Sequence, residues 1–310
     1  MSIALQVALV MVTILVVLLV IGAPIGVAIG MSSAVSMICM IPADVSFATS
    51  AQRIFAGSNS FSLIAIPFFI LAGNIMNNGG IATRLVNCAK VISGRMPGAL
   101  AQSNVVANML FGAISGSGAA AAAAMGGTIG PLEEKEGYDK NYSTAVNVAS
   151  APVGMLIPPS NTMIVYSSVA GSVSIAALFM AGYIPGLLWG GAVMILAGIM
   201  AKKRGYQAEQ RVPVKVALKT FWQAIPSLLL IVIVIGGILG GIFTATEGSA
   251  IAVVYATVLS LIYKAFKIKD IPRIVLEAAK TTGIITFMIG LSSIMSWACL
   301  LYTSDAADEL

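Results

Sequence analysis

Two short stretches hold the residues that could do chemistry: Ser115-Gly116-Ser117-Gly118 and Pro158-Pro159-Ser160-Asn161-Thr162. Neither has a strong acid, base or nucleophile pair. What they offer is neutral oxygen, small size and broken helix. The two prolines remove backbone donors and interrupt a helix, which leaves carbonyls without their usual partners. Ser115, Ser117, Ser160, Asn161 and Thr162 add hydroxyl and amide oxygens. The half-helices that begin after Gly118 and after Pro159 turn N–H groups and a positive dipole end toward an anion. Freed carbonyls beside such N-termini suit Na⁺ next to a carboxylate substrate. Blander readings stand beside this one. Gly112/Gly116 and Gly126/Gly130 fit small-xxx-small helix packing, and a proline pair can be a kink. A serine hydrolase built on Ser115 or Ser117 lacks its base, because the chain has no histidine and its lysines fall in polar segments. A scaffold protein needs no pair of breaks at all. No enzyme and no cofactor beyond a coupling ion is expected.

These breaks lie in a chain made for lipid. Hydrophobic residues are 58% of its 310 and charged residues 9%, against roughly a quarter charged in soluble domains. Apolar runs long enough for spans cover 3–21, 24–41, 61–77, 174–200, 222–242, 249–263 and 281–300. The first has no basic residue before it and is not a removable signal. The net charge of +5 is split among clusters between spans: Lys202, Lys203, Arg204, Arg211, Lys215 and Lys219, then Lys264, Lys267, Lys269, Arg273 and Lys280. That is the positive-inside pattern of a membrane protein and not a nucleic-acid surface. Cys39, Cys88 and Cys299 are too scattered for a disulfide framework or a metal site.

Charge then orders the topology. With both basic clusters cytoplasmic, the turn between 222–242 and 249–263 is outside, and 174–200 runs inward. Residues 142–170 form one outward crossing, broken at the double proline. The arms 99–114 and 119–130 reach roughly 24 and 18 Å at 1.5 Å per residue, short of a ~30 Å hydrocarbon core. They therefore read as a re-entrant hairpin, 99–130, tipped by Ser115–Gly118. The connector 78–98 is an amphipathic arm on the cytoplasmic surface, the loop 131–141 is cytoplasmic, and the N-terminus is periplasmic. This places every Lys and Arg inside except Arg53. Asn74, Asn77 and Asn104 read as packing or interfacial groups. Glu247 lies beside a span; it is a candidate site residue or a loop acid next to a Thr246 helix cap.

The order span in, span out, span in recurs with reversed direction in the second part. The fold class is thus an all-α integral membrane protein with an inverted-topology repeat. Residues 1–210 are the first repeat. Residues 211–300 are an incomplete second one, and the abruptly polar 301–310 is read as a non-native tail on a truncated chain.

Five motifs carry a family resemblance: "FSLIAIPFFILAGNIM" (61–76), "GAISGSGAAAAAAMG" (112–126), "EEKEGYDKNYSTAVNVAS" (133–150), "GMLIPPSNTMIVYS" (154–167) and "LFMAGYIPGLL" (178–188). Together they resemble the large, DctM-type membrane subunit of tripartite ATP-independent periplasmic (TRAP) transporters. The resemblance implies an elevator-type secondary transporter in the bacterial inner membrane. It implies Na⁺-driven uptake of an organic acid handed over by a periplasmic binding protein, with a small four-helix membrane subunit as partner. The region Ser115–Gly118 and Gly154–Asn161 then carries one Na⁺ site and part of the substrate site, with Na⁺ held through Ser115, Ser117, Gly154, Ser160 and Asn161. The family's second hairpin and second Na⁺ site are not in this sequence. A stand-alone Na⁺/dicarboxylate symporter of related fold is the alternative.

Overall fold

The computed structural model describes residues 3–171, 173–206, 213–265 and 267–308, and among them the regular structure is helical. In chain order the α-helices are α1 Ile3–Ile21, α2 Ile25–Met37, α3 Ala43–Ser58, α4 Ala65–Asn78, α5 Ile81–Ser93, α6 Ala99–Ser115, α7 Gly118–Thr128, α8 Gly130–Lys135, α9 Lys140–Ser150, α10 Val153–Leu156, α11 Asn161–Ala170, α12 Ile175–Lys203, α13 Val214–Leu239, α14 Ala245–Ile262 and α15 Ile271–Asp308. Five of the described helical stretches are long and apolar enough to cross a bilayer: Phe61–Asn78, Ile175–Lys203, Val214–Leu239, Ala245–Ile262 and Ile271–Leu300. The pair Lys140–Leu156 and Asn161–Ala170, bent by 46°, adds a sixth if counted as one broken span. Leu5–Ile21 and Ile25–Met37 are apolar and shorter.

A helix overlies each of the seven apolar runs, with shifted ends; five of these helical stretches have span length, while Leu5–Ile21 and Ile25–Met37, over the runs 3–21 and 24–41, are shorter. α13 starts at Val214, just after Pro213, so it takes in Lys215 and Lys219 before the apolar run begins. α15 starts at Ile271, with Pro272 in its first turn where a missing N–H costs little. Residues 43–58, between two spans, form a helix that hydropathy alone did not suggest; Asp44 in its first turn suits the dipole. The backbone of the polar tail is helical through Asp308. Residues 309–310, like Arg211 of the first basic cluster, lie outside the described residues.

The chain divides into two units, one of 1–63 with 280–310 and one of 64–279. The cut does not follow the repeat boundary near residue 210. In the first unit, Val7, Met11, Met37, Leu291, Ile294 and Ala298 form a buried cluster. Small residues let its helices approach: a Cβ on Gly30 would come within 2.5 Å of Leu291 Cδ2. The Arg53 guanidinium lies 5.2 Å from the Trp297 ring centroid, a cation–π contact for the one basic residue assigned outside.

The second unit is organised around α6, which packs against α4, α5, α7, α9, α10 and α12. α5 is the amphipathic connector. Its apolar face, including Ile81, Leu85, Val86 and Ala89, is buried within this unit, where α5 packs on α6 and α13. Polar side chains fasten the elements in pairs. Gln102 Nε2 donates to the Met194 carbonyl (2.8 Å) and Tyr142 Oη to the Ala197 carbonyl (2.8 Å), both joining to α12. Asn108 Nδ2 lies within hydrogen-bond distance of Asn104 Oδ1 (2.8 Å), Asn147 Oδ1 (3.0 Å) and Ser150 Oγ (2.8 Å), binding α6 to α9.

Candidate functional site

Both breaks are built the same way. α6 ends at Gly116 in the left-handed region, φ 61°, and Ser117 then turns extended and caps α7, its Oγ accepting from the Ala120 N–H at 3.3 Å. The crossing ends α10 at Ile157 and passes the cis Pro158–Pro159 bond. It restarts when extended Ser160 caps α11, with Oγ accepting from the Met163 N–H at 3.4 Å. A serine in the extended region is a favoured N-cap because its oxygen satisfies a first-turn donor. Each break thus ends one helix and starts another within two to four residues.

The fold brings the two breaks into contact. The Asn161 N–H donates to the Gly116 carbonyl at 3.3 Å, and Asn161 Nδ2 donates to the Ser115 carbonyl at 3.4 Å. Gly116 is needed twice over. Its φ is positive, and a Cβ there would lie 2.9 Å from the Pro159 carbonyl oxygen. Below the tip the backbones touch directly: a Cβ on Gly112 would sit 2.1 Å from Gly154 Cα, and one on Gly118 would sit 2.9 Å from the Ala151 carbonyl oxygen. α6 and α7 pack on each other across this turn, as a hairpin does.

Ser115, Gly116, Gly118, Gly154, Pro158, Pro159, Ser160 and Asn161 are buried together here, with Ser117 half-buried. Thr162 is not part of the cluster. It is exposed and lines an apolar cleft of about 440 Å³ with Pro152, Met155, Met163, Leu178 and Trp189. Glu247 also has another task. Its carboxylate accepts from the Thr244 N–H (2.7 Å) and the Thr244 hydroxyl (2.9 Å), while Thr244 Oγ1 accepts from the Glu247 N–H (3.3 Å). That is a capping box at the start of α14, and the cap is Thr244, two residues before the Thr246 expected from sequence.

What the cluster can do follows from its open valences. The Ser115 and Gly116 carbonyls, expected to be free, each accept one bond from Asn161; each keeps a second lone pair. Asn161 Oδ1 is buried and has no hydrogen-bond partner among the described residues. Ser115 Oγ makes only long contacts, 3.4 Å to the Ser117 carbonyl and 3.4 Å from its N–H. A buried acceptor without a donor is costly. That one open oxygen, beside two carbonyls with a spare lone pair and a weakly held hydroxyl, fits a small cation that takes neutral oxygen ligands. Sequence reasoning did not find the Asn108–Asn147–Ser150 network behind this cluster. The signal was present as Asn104/Asn108 at i, i+4 on one helix and Asn147/Ser150 at i, i+3 on another.

The family profile of the tripartite ATP-independent periplasmic transporter, DctM component, matches residues 12–307. YgiK of Salmonella typhimurium is 51% identical over 267 residues, 86% of this chain and 61% of its own length. The C4-dicarboxylate TRAP transporter large permease protein of Pseudomonas aeruginosa is 36% identical over 280 residues, 90% of this chain and 64% of its own. The isethionate TRAP transporter permease protein of Oleidesulfovibrio alaskensis is 40% identical over 249 residues, 79% of this chain and 39% of its own. The chain therefore spans about three-fifths of the first two relatives and two-fifths of the third.

Proposed function

Since this chain belongs to the DctM family of TRAP transporter large subunits, we propose that it forms the membrane path of a Na⁺-coupled importer for an organic acid. A periplasmic binding protein delivers the substrate, and a small four-helix membrane subunit completes the complex. The N-terminus faces the periplasm. The named cargoes of the relatives differ, C4-dicarboxylate in one and isethionate in another, so the substrate is taken no further than an organic acid.

One observation carries the coupling reading: Asn161 ties the hairpin tip to the broken crossing and still has an open, buried acceptor oxygen. Ser115, Ser117, Gly154, Ser160 and Asn161 would hold Na⁺, through hydroxyl, amide or carbonyl oxygen. Bound there, the ion supplies a positive charge beside the substrate carboxylate. The chain's own part is mechanical and electrostatic. The Asn161 bonds make tip and break one rigid piece. The N-terminal ends of α7 and α11 supply dipoles for an anion. The close Gly112–Gly154 contact keeps water from the seam between them. Such a piece can be exposed alternately to the two sides as a body, which is the elevator mechanism.

The test is uptake by the complete permease, reconstituted in proteoliposomes with its binding protein and small subunit. Uptake is expected to stop when choline replaces Na⁺; equal uptake in choline refutes the coupling. Undiminished uptake without the binding protein marks the stand-alone symporter instead.

A further inference from the structure

At the root of the hairpin, remote in sequence from its tip, lies a second polar place. α7 runs almost directly into α8, and α8 carries Glu133 in the segment read from sequence as a polar cytoplasmic loop. Glu133 is 1% exposed. It sits on a cavity of about 310 Å³ lined by Asn104, Gly126, Gly130, Ser143, Thr144 and other residues of α6 to α9. Both of its carboxyl oxygens lack a hydrogen-bond partner among the described residues, and so do Asn104 Nδ2 and Ser143 Oγ. No Lys or Arg forms an ion pair with it among the described residues; Lys140, at the same cavity, is 3.8 Å from the exposed carboxylate of Glu134.

We propose that this cavity is a proton-binding site, with the Glu133 carboxyl as acceptor and water in the cavity as the route.

Burial without a paired cation favours a proton at this carboxyl, and the lining argues against a metal ion. Asn104 Oδ1 accepts from Asn108, which leaves the Asn104 amide hydrogens for Glu133. Ser143 Oγ–H and Asn104 Nδ2 can each turn a donor to a carboxyl oxygen, and these two neutral donors offset only part of the cost of burying the charge. A metal cation in the same place would meet the Asn104 amide hydrogens. A buried carboxylate without a cation is also costly, and such groups are neutralised instead. Burial pushes Glu133 from its ordinary 4.5 up to about 7, and the nearby Ser143 and Asn104 lower it by less. The other titratable groups around it are Glu134, Lys140, Tyr138 and Tyr142; α6 and α7 bring no charged side chain.

The sign follows. The folded pKa lies above the unfolded one, so the folded chain holds this proton more tightly. Its contribution to stability is complete below about pH 4.5. It is lost as pH rises to about 7, where the bare carboxylate loosens the seat of α8 on α6 and α9. The proposal does not depend on Na⁺ at the tip.

The experiment is a pH titration of the purified chain in detergent by infrared spectroscopy, with thermal unfolding in parallel. A protonated-acid carbonyl band that disappears with a midpoint near pH 7, and is missing in Glu133→Gln, is the expected result. The melting temperature of the wild type should fall from pH 5 to 8 relative to that of Glu133→Gln. Should Glu133→Gln not fold, Ser143→Ala serves: it removes a group that lowers the pKa, so the midpoint should move up. A midpoint near 4.5, melting curves of wild type and variant that run parallel with pH, or a band removed by adding NaCl at fixed pH would each overturn the proposal.

Discussion

At the scale of single residues, Asn161 and Thr162 make a controlled pair. They are neighbours in sequence, and both looked like ligands. Asn161 is buried with one bond to the tip through Nδ2 and an open Oδ1. Thr162 is exposed on the apolar cleft. Asn161→Ala removes both Asn161 atoms. It should weaken Na⁺-induced thermal stabilisation about tenfold in apparent affinity, equivalent to ~1.4 kcal/mol. Thr162→Ala should leave that Na⁺ titration unchanged. Glu247→Ala should lower the melting temperature slightly by opening the capping box, with the Na⁺ response intact.

At the scale of elements, the hairpin and the crossing are joined by glycine backbones. Gly112→Ala places a methyl group against Gly154 Cα with no flexible side chain to move. Overpacking of this kind costs about 1–3 kcal/mol, and the change should appear as a lower melting temperature without loss of membrane insertion. Gly116→Ala combines a left-handed φ, worth roughly 1–2 kcal/mol, with a clash at the Pro159 carbonyl. A bulkier probe at the half-buried tip, Ser117→Trp, should abolish uptake in proteoliposomes while the protein still inserts; normal uptake would mean the tip is not on the substrate path.

At the scale of the whole molecule, the distribution of Lys and Arg makes a directional prediction. In intact cells and a cysteine-free background, a membrane-impermeant maleimide should label Gln52→Cys on α3 from outside. It should label Glu136→Cys at the end of α8 only after lysis. Both positions are exposed in the structure, so lack of reaction reports sidedness and not burial. The opposite pattern would invert the topology and make Glu133 sense the periplasm.

Much of this protein could be read from its sequence, because the deciding physics is local. An apolar run of span length stays out of water wherever the chain goes. A proline pair lacks its donors in any context, and a glycine accepts a positive φ in any context. Hence the long apolar helices, the hairpin at 99–130 and the break at Pro158–Pro159 were legible, while α3 and α8, in segments without a long apolar run, were not. Which polar group meets which was not. Asn161 reaches Ser115 across 46 residues, and Asn108 reaches Asn147 across 39. Glu133 belongs to a run of acids that looks solvated until α6 and α9 close over it. Burial and partner choice depend on how distant segments pack, and only the tertiary structure decides them, because desolvation belongs to an environment that no single stretch of sequence contains.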